Sequence, residues 1–227
     1  MPVFRIPEDN LIFPHPSQAS EDGLLGIGGD LSAERLILAY QNGIFPWNND
    51  GEEIHWWCLT PRLILYPEAI KVSKSMKRVL RETTITVSFD QHFLEVMNKC
   101  SQIKRKSQMG TWIHDDLKEA FIKLHELGIV HSVEILKDGR LIGGLYGLAI
   151  GQMFCGESMF SEEPNMSKLA LIKLCEKLVE LDFKLIDCQQ VTEHLLSMGG
   201  ELMEKNDFFQ FLEKNKLNNI SIHSWKE

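Results

Sequence analysis

The sequence lacks a run of about 18 consecutive apolar residues, the length that a membrane-spanning helix needs. Its N-terminal residues also lack the apolar core of a signal peptide, because Arg5, Glu8 and Asp9 interrupt it. The five cysteines are scattered without a Cys-x-x-Cys pair, and the eight histidines show no metal-ligand spacing. We therefore expect a cytoplasmic protein with no membrane anchor, disulfide framework, bound metal or cofactor.

Positive charge is also scarce. The chain has 24 Lys and Arg residues against 32 Asp and Glu residues, which gives a net charge of −8. This balance argues against a DNA-binding protein or a general RNA binder, so any contact with nucleic acid must come from a local patch. The apolar content of 44% over 227 residues is typical of a globular protein that buries a core. We expect a monomer.

Two local basic clusters are present. Residues 73–82 are predicted to form a helix with one apolar side and one basic side. The basic residues recur at helical spacing, and they are Lys74, Lys77, Arg78 and Arg81, extended by Lys71. A second cluster follows a predicted helix at residues 91–98 and contains Lys99, Lys104, Arg105 and Lys106. A single charged helix face is usually a solvated surface, but two uniformly basic clusters in an acidic chain favour contact with phosphates.

The chain divides into a small N-terminal domain at residues 1–62 and a larger domain at residues 63–227. The small domain is rich in Pro, Gly and Trp, and it has one predicted helix at residues 33–42, capped by Ser32. Phe45-Pro46-Trp47 and Trp56-Trp57 flank a polar turn, which predicts a hairpin-like loop.

The larger domain changes from helices to strands at His131. A helix is predicted at residues 116–127, and strands are predicted at residues 131–137, 140–150 and 152–160. A helix at 165–182, a strand at 184–189, a short helix at 193–198 and a final helix around 208–212 follow. Consecutive antiparallel strands, then helix and strand, indicate an α+β fold.

The third predicted strand carries a carboxylate in an apolar setting, in the sequence Phe154-Cys155-Gly156-Glu157-Ser158-Met159-Phe160-Ser161. Burying a charged group is costly unless it has a partner, so Glu157 needs a reason to be there. One interpretation is a strand whose polar face meets solvent. The other is a pocket with apolar walls, in which Glu157 holds a cationic group such as an α-amine.

The next strand carries a second polar pair, in Ile186-Asp187-Cys188-Gln189. Residues at i and i+2 share one face of a strand, so Asp187 and Gln189 are predicted to point the same way and Cys188 the other way, into the core. If the two strands lie side by side, Glu157, Asp187 and Gln189 converge on one cleft.

These motifs resemble the leucyl/phenylalanyl-tRNA–protein transferases of bacteria, and the resemblance runs over most of the chain. Each motif is weak evidence alone, but their order is specific. Besides the two strands above, the motifs are Gly23-Leu24-Leu25, Gly28-Gly29-Asp30-Leu31, Ala39-Tyr40, Gly43-Ile44-Phe45-Pro46-Trp47, Trp56-Trp57, Pro61-Arg62, Thr111-Trp112-Ile113, His131-Ser132-Val133-Glu134, Gly143-Gly144 and Asn165-Met166-Ser167-Lys168.

The resemblance implies a larger domain similar to the acyl-CoA N-acetyltransferase fold. It also implies an enzyme that takes Leu, or Phe, from Leu-tRNA or Phe-tRNA and joins it to the N-terminal Lys or Arg of a protein. We expect Met to be a weaker donor. Such a reaction marks the acceptor protein for degradation through the bacterial N-end rule.

The resemblance also implies roles for individual residues. The reaction needs a neutral attacking amine and donors for the developing oxyanion, because the tRNA ester is already activated. Asp187 is expected to hold the charge of the acceptor or accept its proton, and Gln189 to orient the amine or support the carbonyl. The family's Asp-Cys-Gln has been assigned this relay role, but whether the pair does chemistry or positions substrate stays open.

Glu157 is expected to bind the α-amine of the donor amino acid. By their place in the family's motifs, the residues expected to line the donor pocket are Leu145, Phe154, Ser158, Leu171, Leu174 and Leu178. Core packing is an equal alternative for the three leucines of the helix. Trp47 and Trp112 are candidates for stacking on the terminal adenosine of the tRNA, a contact of about 1–3 kcal/mol.

The chain departs from the family's pattern at Leu59-Thr60, Glu162 and Glu204-Lys205, and Glu162 is expected to remove a phosphate contact. Two alternative functions have weaker support. An N-acetyltransferase that uses acetyl-CoA requires a pyrophosphate loop, which neither residues 140–145 nor 152–157 supply. A non-catalytic RNA-binding module leaves Glu157, Asp187 and Gln189 without a purpose.

Overall fold

The computed structural model of the protein describes residues 3–103, 113–218 and 225. Within these residues, none of the helices has the length and apolar character that crossing a membrane requires. The helices are α1 (Ala33–Gln41), α2 (Lys74–Val79), α3 (Phe93–Ser101), α4 (Asp115–Glu126), α5 (Met166–Glu180), α6 (Glu193–Ser197) and α7 (Lys205–Asn215). The strands are β1 (Phe4–Ile6), β2 (Leu24–Gly28), β3 (Phe45–Pro46), β4 (His55–Trp57), β5 (Arg62–Leu65), β6 (Ile85–Phe89), β7 (Val130–Lys137), β8 (Arg140–Ile150), β9 (Met153–Ser161), β10 (Leu185–Gln189) and β11 (Glu201–Met203).

The strands form two sheets. A four-stranded sheet has the order β1-β2-β4-β3, and a seven-stranded sheet has the order β11-β5-β10-β9-β8-β7-β6. The predicted α+β fold, with a small N-terminal domain ahead of a larger one, is confirmed. Strand β5 belongs to the larger sheet although it begins at Arg62, and the domain boundary between residues 62 and 63 stays a prediction.

The small domain is built on the predicted helix and hairpin. Helix α1 begins after Ser32, whose hydroxyl accepts a hydrogen bond from the Arg35 N–H at 3.4 Å. Strands β3 and β4 pair antiparallel, with Phe45 opposite Trp57, as the hairpin-like loop predicts. Gly43 follows the helix with φ of 70° and leaves room for the ring of Phe208, because a Cβ there would lie 2.7 Å from that ring.

The larger sheet places two polar strands side by side. Strands β7, β8 and β9 are antiparallel neighbours, and the β7–β8 turn is the predicted Asp138-Gly139 hairpin. Strand β10 then pairs parallel to β9, with Ile186 opposite Phe154 and Asp187 opposite Cys155. Helices α3 and α5 both pack on this sheet, and their buried residues belong to two different core clusters. The strands that carry the polar residues therefore lie inside the protein.

Two differences from the sequence-based expectations have physical causes. Helix α2 stops at Val79, because the N–H groups of Arg81 and Glu82 bond to carbonyls only three residues back and tighten the last turn. The short strands β1, β2, β5, β6 and β11 were not expected, because three to five residues carry too little alternation to separate them from loops. Distant pairing, such as Ile64 with Asp187, creates β5.

Candidate active site

A cavity of about 670 Å³ opens where β10 ends and β9 continues beyond it. Its walls come from β3, β8, β9, β10, α5 and α6. The lining residues are Phe45, Pro46, Trp47, Leu145, Tyr146, Phe154, Gly156, Glu157, Ser158, Met159, Ser167, Leu171, Leu174, Ile186, Cys188, Gln189, Gln190, Thr192, His194 and Leu195. Most of these side chains are apolar, so the cavity suits an apolar group with a few polar contacts.

Glu157 is the carboxylate that faces this cavity. Burial raises its pKa to about 8, the nearby Tyr40 hydroxyl lowers it, and the Asp187 charge raises it further. The Tyr40 hydroxyl approaches Glu157 from α1 without completing a hydrogen bond among the described residues. The Gln189 amide donates a hydrogen bond to Oε1 of Glu157 at 3.4 Å. The carboxyl group therefore lies in apolar surroundings with room for a cationic partner.

Asp187 is in a different environment from Glu157. Its side chain is 1% exposed, and it does not line the cavity. The Arg62 Nε donates to Oδ1 at 2.6 Å, and Nη2 donates to Oδ2 at 2.7 Å. This is a buried, two-pronged ion pair, which holds the carboxylate in one orientation.

Arg62 is itself fully enclosed. Its guanidinium lies between the rings of Phe45 and Phe208, at 5.1 Å and 4.9 Å from their centres. It also donates to the carbonyl of Gly43 at 3.0 Å, which joins β5 to the end of α1. Burial lowers the pKa of Arg62, but the charge of Asp187 outweighs burial and the net pKa is raised.

Gln189 is turned into the cavity by an irregularity in β10. The pairing of β10 with β5 shifts between Asp187 and Gln189, and Gln189 has φ of 52°, which is unusual for a residue other than glycine. The Gln189 N–H donates to Oδ1 of Asp187 at 3.0 Å and stabilises this conformation. The expected alternation of faces is therefore wrong here: Cys188 and Gln189 both line the cavity, and Asp187 does not.

The residues predicted to line a donor pocket are largely brought together. Leu145, Phe154, Ser158, Leu171 and Leu174 all line the cavity. Leu178 is buried in the same core cluster but outside the cavity lining, which fits the core-packing alternative.

The predicted aromatic residues are placed differently. Trp47 lines the cavity and makes an edge-on contact with Trp57, with ring centres 5.6 Å apart. Trp112 lies outside the described residues.

The two basic clusters differ in whether their side chains form ion pairs. The α2 stripe, which consists of Lys71, Lys74, Lys77, Arg78 and Arg81, is exposed, and none of the five has an ion pair with another described residue. Its backbone meets the site region, because the Lys71 N–H donates to the Met198 carbonyl next to α6 at 2.8 Å.

In the second cluster, Lys99 forms an ion pair with Glu162. Glu162 also lies 3.6 Å from Arg140. Lys104, Arg105 and Lys106 lie outside the described residues.

The other departures from the family's pattern have structural roles. The Leu59 carbonyl accepts a 3.4 Å hydrogen bond from Arg62, and Lys205 donates to the Ser17 carbonyl at 3.0 Å. The contributions of Arg62 and Tyr40 to the site were not predicted from the sequence. The Pro61-Arg62 motif was a signal for the first, but only the fold brings Arg62 to Asp187. In the part of the chain that the structure describes, no cluster of His, Cys, Asp and Glu could hold a metal ion.

An apolar cavity with a partly buried carboxylate and an amide is typical of proteins whose ligands have an apolar side chain and a cationic or hydrogen-bonding end. Comparisons with known families identify the particular class. The model of the leucyl/phenylalanyl-tRNA protein transferase family matches residues 64–213, and the model of its N-terminal domain matches residues 29–64. The chain belongs to the leucyl/phenylalanyl-tRNA–protein transferase family.

Relatives that carry this name are similar over nearly their whole length. The protein of Syntrophobacter fumaroxidans is 46% identical over 226 residues, which cover 100% of this chain and 96% of the relative. The protein of Flavobacterium johnsoniae is 47% identical over 204 residues, which cover 90% of this chain and 96% of the relative.

Solved structures show a looser likeness. A GCN5-related N-acetyltransferase from Kribbella flavida is similar with a TM-score of 0.42 and 11% identity, over 73% of this chain and 58% of that one. The C-terminal domain of a lysylphosphatidylglycerol synthetase from Agrobacterium fabrum is similar with a TM-score of 0.39 and 11% identity, over 67% of this chain and 50% of that one.

Proposed function

We propose that this protein is a cytoplasmic aminoacyltransferase that moves Leu, and also Phe, from aminoacyl-tRNA to the N-terminal Lys or Arg of a protein. Met is a weaker donor. The observation that carries the proposal is Glu157, the one carboxylate among the described residues that line a mostly apolar cavity, in a chain of this family. The protein acts as a monomer and marks its acceptors for degradation through the N-end rule.

The donor amino acid fits the cavity in one orientation. Its side chain lies against Leu145, Phe154, Leu171 and Leu174, and its α-amine faces Glu157. A carboxyl group with a pKa of about 8 is largely protonated in the empty cavity at neutral pH. A bound ammonium group favours the charged carboxylate, so the ion pair forms when the donor enters.

The reaction joins the acceptor amine to the donor carbonyl. The neutral amine attacks the ester carbon, the C–N bond forms, and the ester C–O bond breaks. The ribose oxygen of the tRNA leaves with a proton, and the amine gives up its own. Gln189 faces the cavity with its amide, which suits it to orient the amine or support the carbonyl oxygen.

Asp187 acts mainly by position in this proposal. Both of its oxygens accept hydrogen bonds from Arg62, and one also accepts the Gln189 N–H. A carboxylate that is occupied in this way and does not line the cavity is poorly placed to take a proton from the acceptor. Its contribution is to hold Gln189 in the left-handed conformation that turns the amide toward Glu157.

The tRNA lies against the α2 stripe. Five exposed basic side chains without ion pairs among the described residues form a surface for phosphates, and Lys71 connects this surface to α6, which lines the cavity. Trp47 is available for stacking on the terminal base at the cavity.

The decisive assay offers labelled Leu-tRNA together with an acceptor protein that begins with Arg. We expect label to move to the acceptor, and we expect no transfer to the same acceptor beginning with Ala. A parallel reaction with labelled acetyl-CoA tests the rival activity. Transfer from acetyl-CoA without transfer from Leu-tRNA would contradict the proposal.

A further inference from the structure

Trp225 is a buried aromatic residue that neither the proposed reaction nor the family model accounts for. The family model ends its match at residue 213, so Trp225 lies beyond it. Its side chain is only 1% exposed, in the core cluster that contains α5 residues of the cavity wall. A tryptophan with this degree of burial contributes a large contact area and a fixed shape to its neighbours.

One of the neighbours of Trp225 lines the cavity. Its ring stacks on His131, with centres 4.1 Å apart and planes at 5°. It also stacks on Phe154, with centres 5.8 Å apart and planes at 27°. Phe154 is a wall of the cavity, so Trp225 lies directly behind that wall.

Phe154 also packs closely against the backbone of β8. Gly147 faces its ring, and a Cβ on Gly147 would lie only 2.6 Å from Cε1 of Phe154. The Phe154 ring is therefore in close contact with β8 as well as with Trp225. The edges of Phe89 and Phe183 enclose the indole at 6.3 Å and 6.4 Å, so Trp225 in turn has little freedom.

From this arrangement we propose that Trp225 is a positioning residue that sets the depth of the donor pocket through Phe154, and so sets the preference between Leu and Phe. The inference rests on the proposed function, because the ligand of the cavity must be a donor side chain. With the indole in place, the Phe154 ring is fixed and the pocket is shallow. Without it, the ring can move into the vacated volume and the pocket can accept a larger side chain.

The test compares transfer from Phe-tRNA and Leu-tRNA by one enzyme preparation. The ratio of the two kcat/KM values does not depend on how much of the preparation is folded, so a loss of stability alone leaves it unchanged. We expect Trp225→Leu to raise the ratio of Phe to Leu by at least about fivefold, since small changes of pocket volume are worth roughly 1–3 kcal/mol. Trp225→Phe should shift the ratio in the same direction by less.

Two controls separate a pocket effect from a general loss of packing. Trp56 is equally buried in the small sheet and does not line the cavity, so Trp56→Leu should leave the ratio unchanged. In a Phe154→Leu background, Trp225→Leu should no longer change the ratio, because its effect passes through the missing ring.

An unchanged Phe-to-Leu ratio in folded Trp225→Leu or Trp225→Phe protein would overturn the inference. The inference would also be overturned if Trp225→Leu changed the ratio as much in the Phe154→Leu background as in the wild type. If Trp225→Leu does not fold, Trp225→Phe carries the test. A wild-type protein that transfers neither Leu nor Phe would overturn the proposed function instead, and the two failures are thus distinguishable.

Discussion

The cavity side and the core side of the β9–β10 pair contain carboxylates in opposite situations. Glu157 on β9 faces the cavity, has no cationic partner among the described residues, and has a pKa raised to about 8 by burial. Asp187 on β10 is enclosed with Arg62 in a two-pronged ion pair and does not line the cavity. Two carboxylates on adjacent strands therefore have different uses: one is open to a ligand and the other is already satisfied.

This difference in environment indicates separate roles for Glu157 and Asp187. A desolvated carboxyl group without a partner avoids the cost of a charge by staying protonated, and a ligand that supplies a cation stabilises its ionised form. A buried charge with a complete set of partners is rigid and fixes its neighbours. On this account Glu157 binds the α-amine that all donors share, and Asp187 keeps Gln189 in place.

The largest effect on stability and transfer is expected from removing the Asp187–Arg62 ion pair on the core side. Asp187→Ala leaves the Arg62 charge buried without its partner, which should lower the free energy of unfolding by about 3–5 kcal/mol. In the fraction that folds, Gln189 loses the contact that holds it in position, so transfer should fall by at least about a hundredfold while binding of Leu-tRNA stays nearly intact. Urea unfolding and single-turnover rates measure the two effects. A folded Asp187→Ala protein with a near-normal rate would remove Asp187 from the mechanism.

The same contrast between open and satisfied charges occurs on the surface. Reversing Lys74, Lys77, Arg78 and Arg81 of the α2 stripe should weaken aminoacyl-tRNA binding by one to two orders of magnitude at low salt, with little dependence on tRNA sequence. The slope of log affinity against log salt should also become flatter, since each lost phosphate contact removes released counterions.

Lys99 is the matched control for this experiment, because its charge is already paired with Glu162. Lys99→Glu should leave the salt dependence close to that of the wild type. If the fourfold stripe variant keeps the wild-type slope, the stripe is only a solvated surface.

A smaller effect on transfer is expected from substitutions of the residues that line the cavity. Glu157→Gln should weaken every donor alike, by about tenfold, because a hydrogen bond to a charged group is worth roughly 1.5–3 kcal/mol. Leu145→Ala should instead change the ranking among Leu, Phe and Met, and β-branched Val and Ile should be poor donors for the wild type. Transfer rates from tRNAs charged with these five amino acids provide the comparison. A Glu157→Gln enzyme with an altered ranking and a normal overall rate would mean that the two roles are reversed.

The smallest effect, counted per pH unit, is in the pH dependence of stability. Between about pH 5 and pH 8 the Glu157 carboxyl is protonated in the folded protein and ionised in the unfolded one, because its folded pKa is about 8. The folded state thus binds more protons, and stability should fall as pH rises, by about 1.4 kcal/mol per pH unit at most. The difference between wild type and Glu157→Gln, measured by urea unfolding across this range, isolates the slope. A constant difference would show that Glu157 is not desolvated.

Much of this architecture could be predicted from the sequence, because it depends on interactions between residues that are close in the chain. The Asp138-Gly139 turn and the apolar runs beside it specify β7 and β8, and Ser32 with Gly43 bounds α1, because turns and helix caps depend on a few adjacent residues. The apolar lining at Leu145, Phe154, Leu171 and Leu174 followed from the resemblance and coincides with the cavity.

What could not be predicted depends on contacts between distant residues. Nothing near Asp187 in the sequence indicates that Arg62 encloses it, 125 positions away. The turn of Gln189 into the cavity results from a shift in pairing and a positive φ, which strand alternation does not contain. The same holds for Trp225, whose contact with Phe154 exists only in the folded core.

The most direct test of the account measures stability and donor binding together for two isosteric variants, Asp187→Asn and Glu157→Gln. We expect opposite results for the two variants. Asp187→Asn should lose several kcal/mol of unfolding free energy and, once folded, bind Leu-tRNA almost as the wild type does. Glu157→Gln should keep or gain stability at pH 7 and bind Leu-tRNA about tenfold more weakly. Equal losses of donor binding in both variants, with no loss of stability in Asp187→Asn, would contradict it.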